Sequence, residues 1–115
     1  VEVNPEGVAM AERNRELNET ENARFIQADV LDYLRESNGR FDTVVLDPPR
    51  AGMHPAAAAL LSKVAPERVV YMSCNPSTFR DDLAALADYR VESFEAFDMF
   101  PQTPHIETLA LLVRR

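Results

Sequence analysis

The chain contains 115 residues, which is enough for one small domain. Hydrophobic residues make up 46% and charged residues 27%, as in an ordinary globular protein, and no apolar run approaches the length of a membrane span. The formal net charge of -7 argues against binding of a nucleic-acid backbone by this segment unaided, because phosphate contacts need Lys and Arg.

The single cysteine narrows the possibilities further. It excludes an internal disulfide and indicates a reducing compartment such as the cytoplasm. One cysteine and two histidines do not make a metal site, so we expect none in this segment. The chain begins with Val1 in the middle of a strand-like pattern, and we therefore expect it to be a piece of a longer protein.

Segments typical of strands and helices alternate along the chain. The predicted strands cover residues 1–3, 24–28, 41–46, 68–72, 89–97 and 108–113. The predicted helices cover residues 5–18, 30–36, 55–65 and 76–87, and the first should turn Val8, Ala11 and Leu17 inward. This order predicts an α/β fold with a mostly parallel sheet. The last two strands leave no room for a crossover helix, so the last strand should be antiparallel.

The only cysteine, Cys74, lies where a predicted buried strand ends in Ser-Cys-Asn-Pro. Asn75 suits a helix cap and Pro76 suits the first turn of a helix. The thiol would then lie at the carboxyl end of a strand, where open α/β sheets bind ligands, and near a helix end that favours thiolate. The alternative is that Cys74 is buried and acts only as a small hydrophobic residue, which is common for a lone cysteine.

Three acids end three successive predicted strands, and these ends share one edge of the sheet. Glu2 ends a strand that corresponds to the second strand of a doubly wound sheet. A carboxylate at that place can accept hydrogen bonds from both hydroxyls of a ribose. Asp29 could accept a hydrogen bond from an adenine amino group. Asp47 is held rigidly by two following prolines and could meet a cationic or N–H-bearing group. Each acid alone could instead be a cap or turn residue.

A proline-broken loop covers residues 98–107 and ends with a carboxylate that opens an apolar strand. In a pocket walled by Phe100 and Pro101, Glu107 could act as a base near neutral pH. The alternative is an exposed carboxylate at a strand end. His105 could carry a proton, although a loop histidine is more often simply exposed.

Three motifs together resemble the RNA uracil-5-methyltransferase family, whose members make 5-methyluridine in ribosomal and transfer RNA. They are Asp-Pro-Pro-Arg-Ala-Gly at 47–52, Ser-Cys-Asn-Pro at 73–76 and the loop at 98–107, and their order and spacing also fit. The Val-Glu-Val-Asn around Glu2 resembles the family's ribose-binding acid, so the resemblance covers nearly all 115 residues. The Phe-Pro-Gln-Thr-Pro-His sequence at 100–105 resembles the ribosomal-RNA branch more than the transfer-RNA branch.

The resemblance implies a Rossmann-like class I fold that uses S-adenosylmethionine. Residues 1–115 would form a single partial domain, the carboxyl-terminal part of the catalytic domain, without its first strand and Gly-rich loop. The resemblance also implies that Cys74 is the nucleophile and Glu107 the general base, with Glu2, Asp29 and Asp47 in the cofactor pocket. RNA would bind through the full-length protein, and the segment alone is expected to bind cofactor poorly and to be inactive.

Two other interpretations remain open at this point: a different methyltransferase of nucleic-acid bases, or a module without catalytic activity. Asp-Pro-Pro followed by an aromatic residue is typical of enzymes that methylate amino groups of bases, and here Arg50 replaces the aromatic residue. Cytosine-5 RNA enzymes are also similar but use a second cysteine, which this segment lacks. The remaining interpretation is a non-catalytic Rossmann-like module with Cys74 merely buried.

Overall fold

Four helices begin at side-chain caps in the computed structural model, which describes all residues 1–115. They are α1 (Pro5–Leu17), α2 (Val30–Glu36), α3 (Pro55–Val64) and α4 (Pro76–Ala85). The caps are Asn4, Asp29, His54 and Asn75, each of which accepts a hydrogen bond from a backbone N–H of the first turn. Proline follows the cap in α1, α3 and α4, where its missing N–H costs no helical hydrogen bond. All four predicted helices are thus confirmed within a few residues.

The four strands β1 (Thr43–Leu46), β2 (Arg68–Ser73), β3 (Tyr89–Phe97) and β4 (Glu107–Arg114) form one sheet in the order β1-β2-β4-β3. β1 and β2 are parallel and are joined through α3, as expected for a crossover connection. β4 is antiparallel to both of its neighbours, so three of the four strands run in one direction. The α/β class and the antiparallel last strand are therefore confirmed.

The core of the unit Asn38–Arg115 lies between this sheet and its helices. Leu61 of α3 and Leu112 of β4 are fully buried, and each such side chain contributes about 1.5–3 kcal/mol by leaving water. Aromatic rings continue the cluster, with the centroid of Tyr71 5.0 Å from that of Phe79. β4 alternates between buried and half-buried side chains, as a central strand should. β3 has the predicted bounds but exposes every residue after Tyr89, so its predicted alternation does not produce a buried face.

The unit Val1–Ser37 departs from the sequence prediction. The strands expected at residues 1–3 and 24–28 are reduced to one parallel bridge between Glu2 and Gln27. Two short segments without a further paired strand give too few ladder bonds for a regular sheet. The expectation that Leu17 faces inward is also wrong, because its side chain is 72% exposed. Leu34 of α2 is the only fully buried hydrophobic residue of this unit, so α1 finds little apolar surface to cover.

None of the four helices combines the length and the apolar character that crossing a membrane requires. That both units belong to one partial catalytic domain stays a prediction.

The end of α3 gives a test of backbone strain. Ala65 caps the helix in the left-handed region, at φ 54° and ψ 51°. Glycine adopts this conformation without steric cost, so Ala65→Gly should raise the free energy of unfolding by about 0.5–1 kcal/mol. Hydrogen exchange of the β2 amides in the full-length protein measures this change. The control is Ala59→Gly at an exposed position inside α3, which should lower stability by about the same amount. If both substitutions changed the free energy of unfolding in the same direction, this account would be contradicted.

Candidate active site

The pairing of β2 with β4 brings Cys74 and Glu107 to the same edge of the sheet. The last antiparallel pair joins Ser73 to Thr108, so Cys74 directly follows the ladder along β2 and Glu107 directly precedes it along β4. The hydroxyl of Thr108 also donates a hydrogen bond to the carbonyl oxygen of Ser73 over 2.9 Å, which fixes the end of the ladder.

Cys74 lies in a tight bend between β2 and α4 and is half-buried as a free thiol. The hydroxyl of Ser73 accepts a hydrogen bond from the N–H of Asn75 at 3.1 Å and donates one to its carbonyl oxygen at 3.0 Å. Asn75 in turn caps α4 by accepting a hydrogen bond from the N–H of Ser77 at 3.1 Å. The bend is therefore fixed on both sides of the cysteine while the thiol remains accessible. Glu107 is half-buried as well.

The loop after β1 is held against the start of α4. The carbonyl oxygen of Arg50 accepts hydrogen bonds from the Asn75 side-chain amide at 3.2 Å and from the Thr78 hydroxyl at 3.4 Å. Asp47, the exposed acid at the start of this loop, is thereby carried on the same edge of the sheet as Cys74. Three of the five residues that the sequence predicts for the site thus lie at strand ends on the same edge of the sheet: Asp47, Cys74 and Glu107.

Asp82 of α4 joins β2 to the loop, and the sequence analysis missed it. Its Oδ2 atom accepts hydrogen bonds from the Tyr71 hydroxyl and, at 2.8 Å, from the N–H of Met53. Gly52 makes room for this carboxylate, because a Cβ atom at that position would lie 2.8 Å from Oδ2. Gly52 also has φ +84°, a conformation that favours glycine. The sequence did offer a signal for Asp82, namely an acid on the inner side of a predicted helix together with a glycine in the 47–52 motif.

The hydroxyl of Tyr71 is a donor over a wide pH range. Burial raises the pKa of Tyr71, and the hydrogen bond to Asp82 and the charge of that carboxylate raise it further. The side chain is only 1% exposed, so no water competes for the hydroxyl. Tyr71 therefore stays protonated and keeps its link to Asp82 well above neutral pH.

The third motif reaches the same edge through His105. Its Nδ1 atom lies 3.3 Å from Nη2 of Arg50. Within the loop, Thr103 donates from its hydroxyl to the carbonyl oxygen of Phe100 at 2.7 Å and accepts from the N–H of His105 at 3.3 Å. Because these bonds hold the loop by itself, Phe100 stays 52% exposed and Pro101 is exposed too. That these two residues wall a pocket around Glu107 stays a prediction.

Glu2 and Asp29 lie in the unit Val1–Ser37, and the bridge to Gln27 brings their backbone segments side by side. Oε1 of Glu2 accepts a hydrogen bond from the N–H of Asn4 at 2.7 Å. Oδ1 of Asp29 caps α2 by accepting hydrogen bonds from Leu31 N–H at 2.7 Å and Asp32 N–H at 3.3 Å. Each acid thus has a local structural role and keeps its second oxygen free of hydrogen bonds to the chain.

The chain has no group of three or more His, Cys, Asp and Glu side chains that could hold a metal ion.

Replacing Gly52 with Ala tests the close contact with Asp82. The added Cβ would collide with the carboxylate and would strain a backbone at φ +84°, so we expect stability to fall by about 1–3 kcal/mol. Hydrogen exchange of the Met53 amide should accelerate most, because its bond to Asp82 is broken. The matched control is Gly7→Ala in α1, where the new Cβ meets the flexible Glu2 side chain at 3.2 Å and the Asn4 Cβ at 3.8 Å. A tolerated Gly52→Ala with an unchanged Met53 amide would contradict this assignment.

Replacing Tyr71 with Phe tests the buried hydroxyl. At about pH 8 we expect a loss of about 1–2 kcal/mol, since Asp82 loses a donor. The raised pKa of Tyr71 stabilises the folded state below the pKa of the unfolded chain, and this stabilisation is lost as pH rises above about 10. The difference between wild type and Tyr71→Phe should therefore shrink in urea unfolding as the pH rises from about 10 upward. Tyr89, whose pKa burial also raises, is present in both proteins and cancels. A difference that stays constant over this range would refute the account.

Comparison with known proteins agrees with the three motifs. The sequence model of the tRNA (Uracil-5-)-methyltransferase family matches residues 1–115. An uncharacterized RNA methyltransferase of Thermotoga maritima is 40% identical over 116 residues, covering 99% of this chain and 26% of the relative. A tRNA (uracil(54)-C(5))-methyltransferase of Pyrococcus furiosus is 44% identical over 108 residues, covering 93% of this chain and 25% of the relative. The chain thus spans about a quarter of the length of these curated relatives.

Two solved structures resemble the chain. The Pyrococcus abyssi tRNA (uracil-54, C5)-methyltransferase in complex with S-adenosyl-L-homocysteine superposes with a TM-score of 0.84 at 46% identity, over 96% of this chain and 27% of that chain. TYW2 of M. jannaschii, solved in complex with AdoMet, has a TM-score of 0.54 at 18% identity over 97% of this chain and 55% of that one, and shares the Rossmann-like fold alone. Because the family model spans all of residues 1–115, the chain belongs to the tRNA (uracil-5-)-methyltransferase family.

Proposed function

We propose that the full-length protein transfers a methyl group from S-adenosylmethionine to carbon 5 of a uridine in RNA. The observation that carries this proposal is the β2–β4 register, whose last pair, Ser73 with Thr108, leaves Cys74 and Glu107 as the adjoining residues at that edge of the sheet. A thiol and a carboxylate at one accessible strand edge are the two groups that this chemistry needs. Family membership and the related structure with bound S-adenosyl-L-homocysteine support the same reaction.

Cys74 is proposed as the nucleophile. Carbon 5 of uracil is a poor nucleophile, but addition of a thiolate to carbon 6 converts the ring to an enolate. Carbon 5 of that enolate then attacks the methyl carbon, and the electron pair of the broken bond goes to the leaving sulfur. When bound, the cofactor supplies an electrophilic methyl group on a sulfonium. The fixed bend around Cys74 holds the thiol in one position during this attack.

Glu107 is proposed as the general base that completes the reaction. After methyl transfer, carbon 5 carries both the methyl group and a proton. A carboxylate that accepts this proton lets the electron pair re-form the double bond between carbons 5 and 6 and expel the Cys74 thiolate. The position of Glu107 at the first residue of β4, next to the end of β2, suits this step.

Glu2, Asp29 and Asp47 are proposed as the cofactor-binding residues. Glu2 and Asp29 each use one carboxylate oxygen for a backbone hydrogen bond, and the second oxygen remains available. Carboxylate oxygens accept hydrogen bonds from ribose hydroxyls and from an adenine amino group, so these residues fit S-adenosylmethionine. Asp47 is exposed and would meet the charged methionine end.

The RNA class is a separate part of the proposal. Residues 100–105 resemble the ribosomal-RNA branch, and on that resemblance we propose ribosomal RNA as the substrate. The Pyrococcus relatives are named as tRNA enzymes, which supports tRNA as the alternative. In either case the target base must leave its stack to reach Cys74. Because the segment carries a net charge of -7, RNA affinity is expected from other parts of the full-length protein, acting in the cytoplasm.

Covalent trapping tests both catalytic assignments. We expect the full-length protein to form an adduct with 5-fluorouridine-containing RNA in the presence of S-adenosylmethionine, because fluorine cannot leave carbon 5 as a proton does. Cys74→Ser should abolish the adduct and lower methyl transfer on the order of 10³-fold. Glu107→Gln should accumulate a methylated adduct even with ordinary uridine. The control is Ser77→Ala, an exposed position of α4 that should leave turnover unchanged.

The same assay distinguishes the other interpretations. Methylation that persists in Cys74→Ser would indicate amino-group methylation of a base, which needs no cysteine nucleophile. No adduct and no turnover in wild type would indicate a non-catalytic module. Parallel reactions with ribosomal RNA and tRNA transcripts decide the substrate class, and methylation of tRNA alone would overturn the ribosomal assignment.

A further inference from the structure

Arg50 presents a guanidinium at the catalytic edge with most of its donors unused. Its backbone is fixed by the two hydrogen bonds to its carbonyl oxygen from Asn75 and Thr78. Its side chain makes one hydrogen-bond contact, between Nη2 and Nδ1 of His105 at 3.3 Å. A guanidinium has five N–H donors and no acceptor, so Arg50 can only donate in this contact.

No carboxylate forms an ion pair with Arg50, in contrast to two other arginines of the same unit. Arg80 pairs with Asp81, and Arg90 pairs with Glu92. Arg68, which contacts Thr43, lies at the opposite end of β2 from Cys74. In a chain of net charge -7, an arginine without an ion pair that is oriented by a histidine favours an external anion.

We propose that Arg50, positioned by His105, binds a phosphate group that flanks the target uridine. This inference rests on the proposed function. Asn75, which fixes the Arg50 backbone, directly follows Cys74, so the Arg50 backbone is held against the segment that carries the thiol. Phosphate is the anion that every target nucleotide carries next to its base, and a planar guanidinium can contact two of its oxygens. His105 acts here as a positioning residue, because it touches Arg50 and not the phosphate.

The salt dependence of RNA binding tests the role of Arg50. Each lost phosphate contact makes the slope of log K against log salt concentration less steep by about 0.7–0.9. In the full-length protein we therefore expect Arg50→Gln to weaken binding of the substrate RNA about tenfold and to reduce the slope by this amount. Arg50→Lys, which keeps the charge, should keep the slope. The matched control Arg68→Gln should change neither quantity, and an unchanged slope in Arg50→Gln would overturn the inference.

His105 should behave differently because the proposal assigns the phosphate contact to Arg50. We expect His105→Ala to lower RNA affinity severalfold without changing the salt slope, since the charge on Arg50 remains. His105→Asn places an oxygen acceptor near the position of Nδ1 and should restore affinity. A slope change in His105→Ala, or no effect of this variant on affinity, would contradict the positioning role.

Neutral linkages in the RNA identify the contacted group. A methylphosphonate on the 5′ or on the 3′ side of the target uridine removes the charge of one phosphate. At one of these two positions, wild type and Arg50→Gln should bind the modified RNA equally. If wild type keeps its advantage with both modified RNAs, Arg50 does not contact a flanking phosphate. Adduct formation by wild type with 5-fluorouridine RNA is measured in parallel, so that failure of the proposed function is distinguished from failure of this inference.

Discussion

The antiparallel ladder between β2 and β4 is the constraint on which the proposed site depends. Its six pairs begin at Arg68 with Val113 and end at Ser73 with Thr108. Because side chains alternate between faces, a slip of one residue would move the buried residues of β4 to the solvent side and separate positions 74 and 107. Burial of Ala110 and Leu112 resists such a slip, so hydrophobic packing in the core fixes the register at the catalytic edge.

A second constraint is the carboxylate of Asp82, which joins three elements at one point. A partly buried charge is costly unless hydrogen bonds replace its water, and the Tyr71 hydroxyl and the Met53 N–H supply these bonds. Tyr71 lies in β2, Met53 in the loop after β1, and Asp82 in α4. The loop that carries Asp47 and Arg50 is thus coupled to the strand that carries Cys74, although no residue of this link belongs to the proposed chemistry.

Local signals in the sequence predicted the features that depend on neighbouring residues, such as helix starts and strand ends. Asn75 followed by proline marked the start of α4, and the short connection before residue 108 predicted the antiparallel last strand. The placement of Cys74 at the end of β2 followed from the same turn signals. The link between Asp82 and Met53 spans 29 positions and depends on tertiary packing, which no local pattern encodes. The strands predicted in the unit Val1–Ser37 are reduced to one bridge for a related reason. A strand needs a paired partner, and a hydrophobic pattern alone does not supply one.

The charge of the segment suggests a division of labour within the full-length protein. An acidic chain repels the RNA backbone at a distance, so it is poorly suited to supply affinity. A single phosphate contact at the catalytic edge would contribute little to overall binding but would fix the orientation of the nucleotide, since phosphate contacts position a nucleic acid without reading its sequence. Arg50 fits this role because its backbone is fixed by Asn75 and its side chain by His105. Under the proposed function, Arg50 orients the nucleotide at this edge of the sheet, and other parts of the full-length protein supply the affinity.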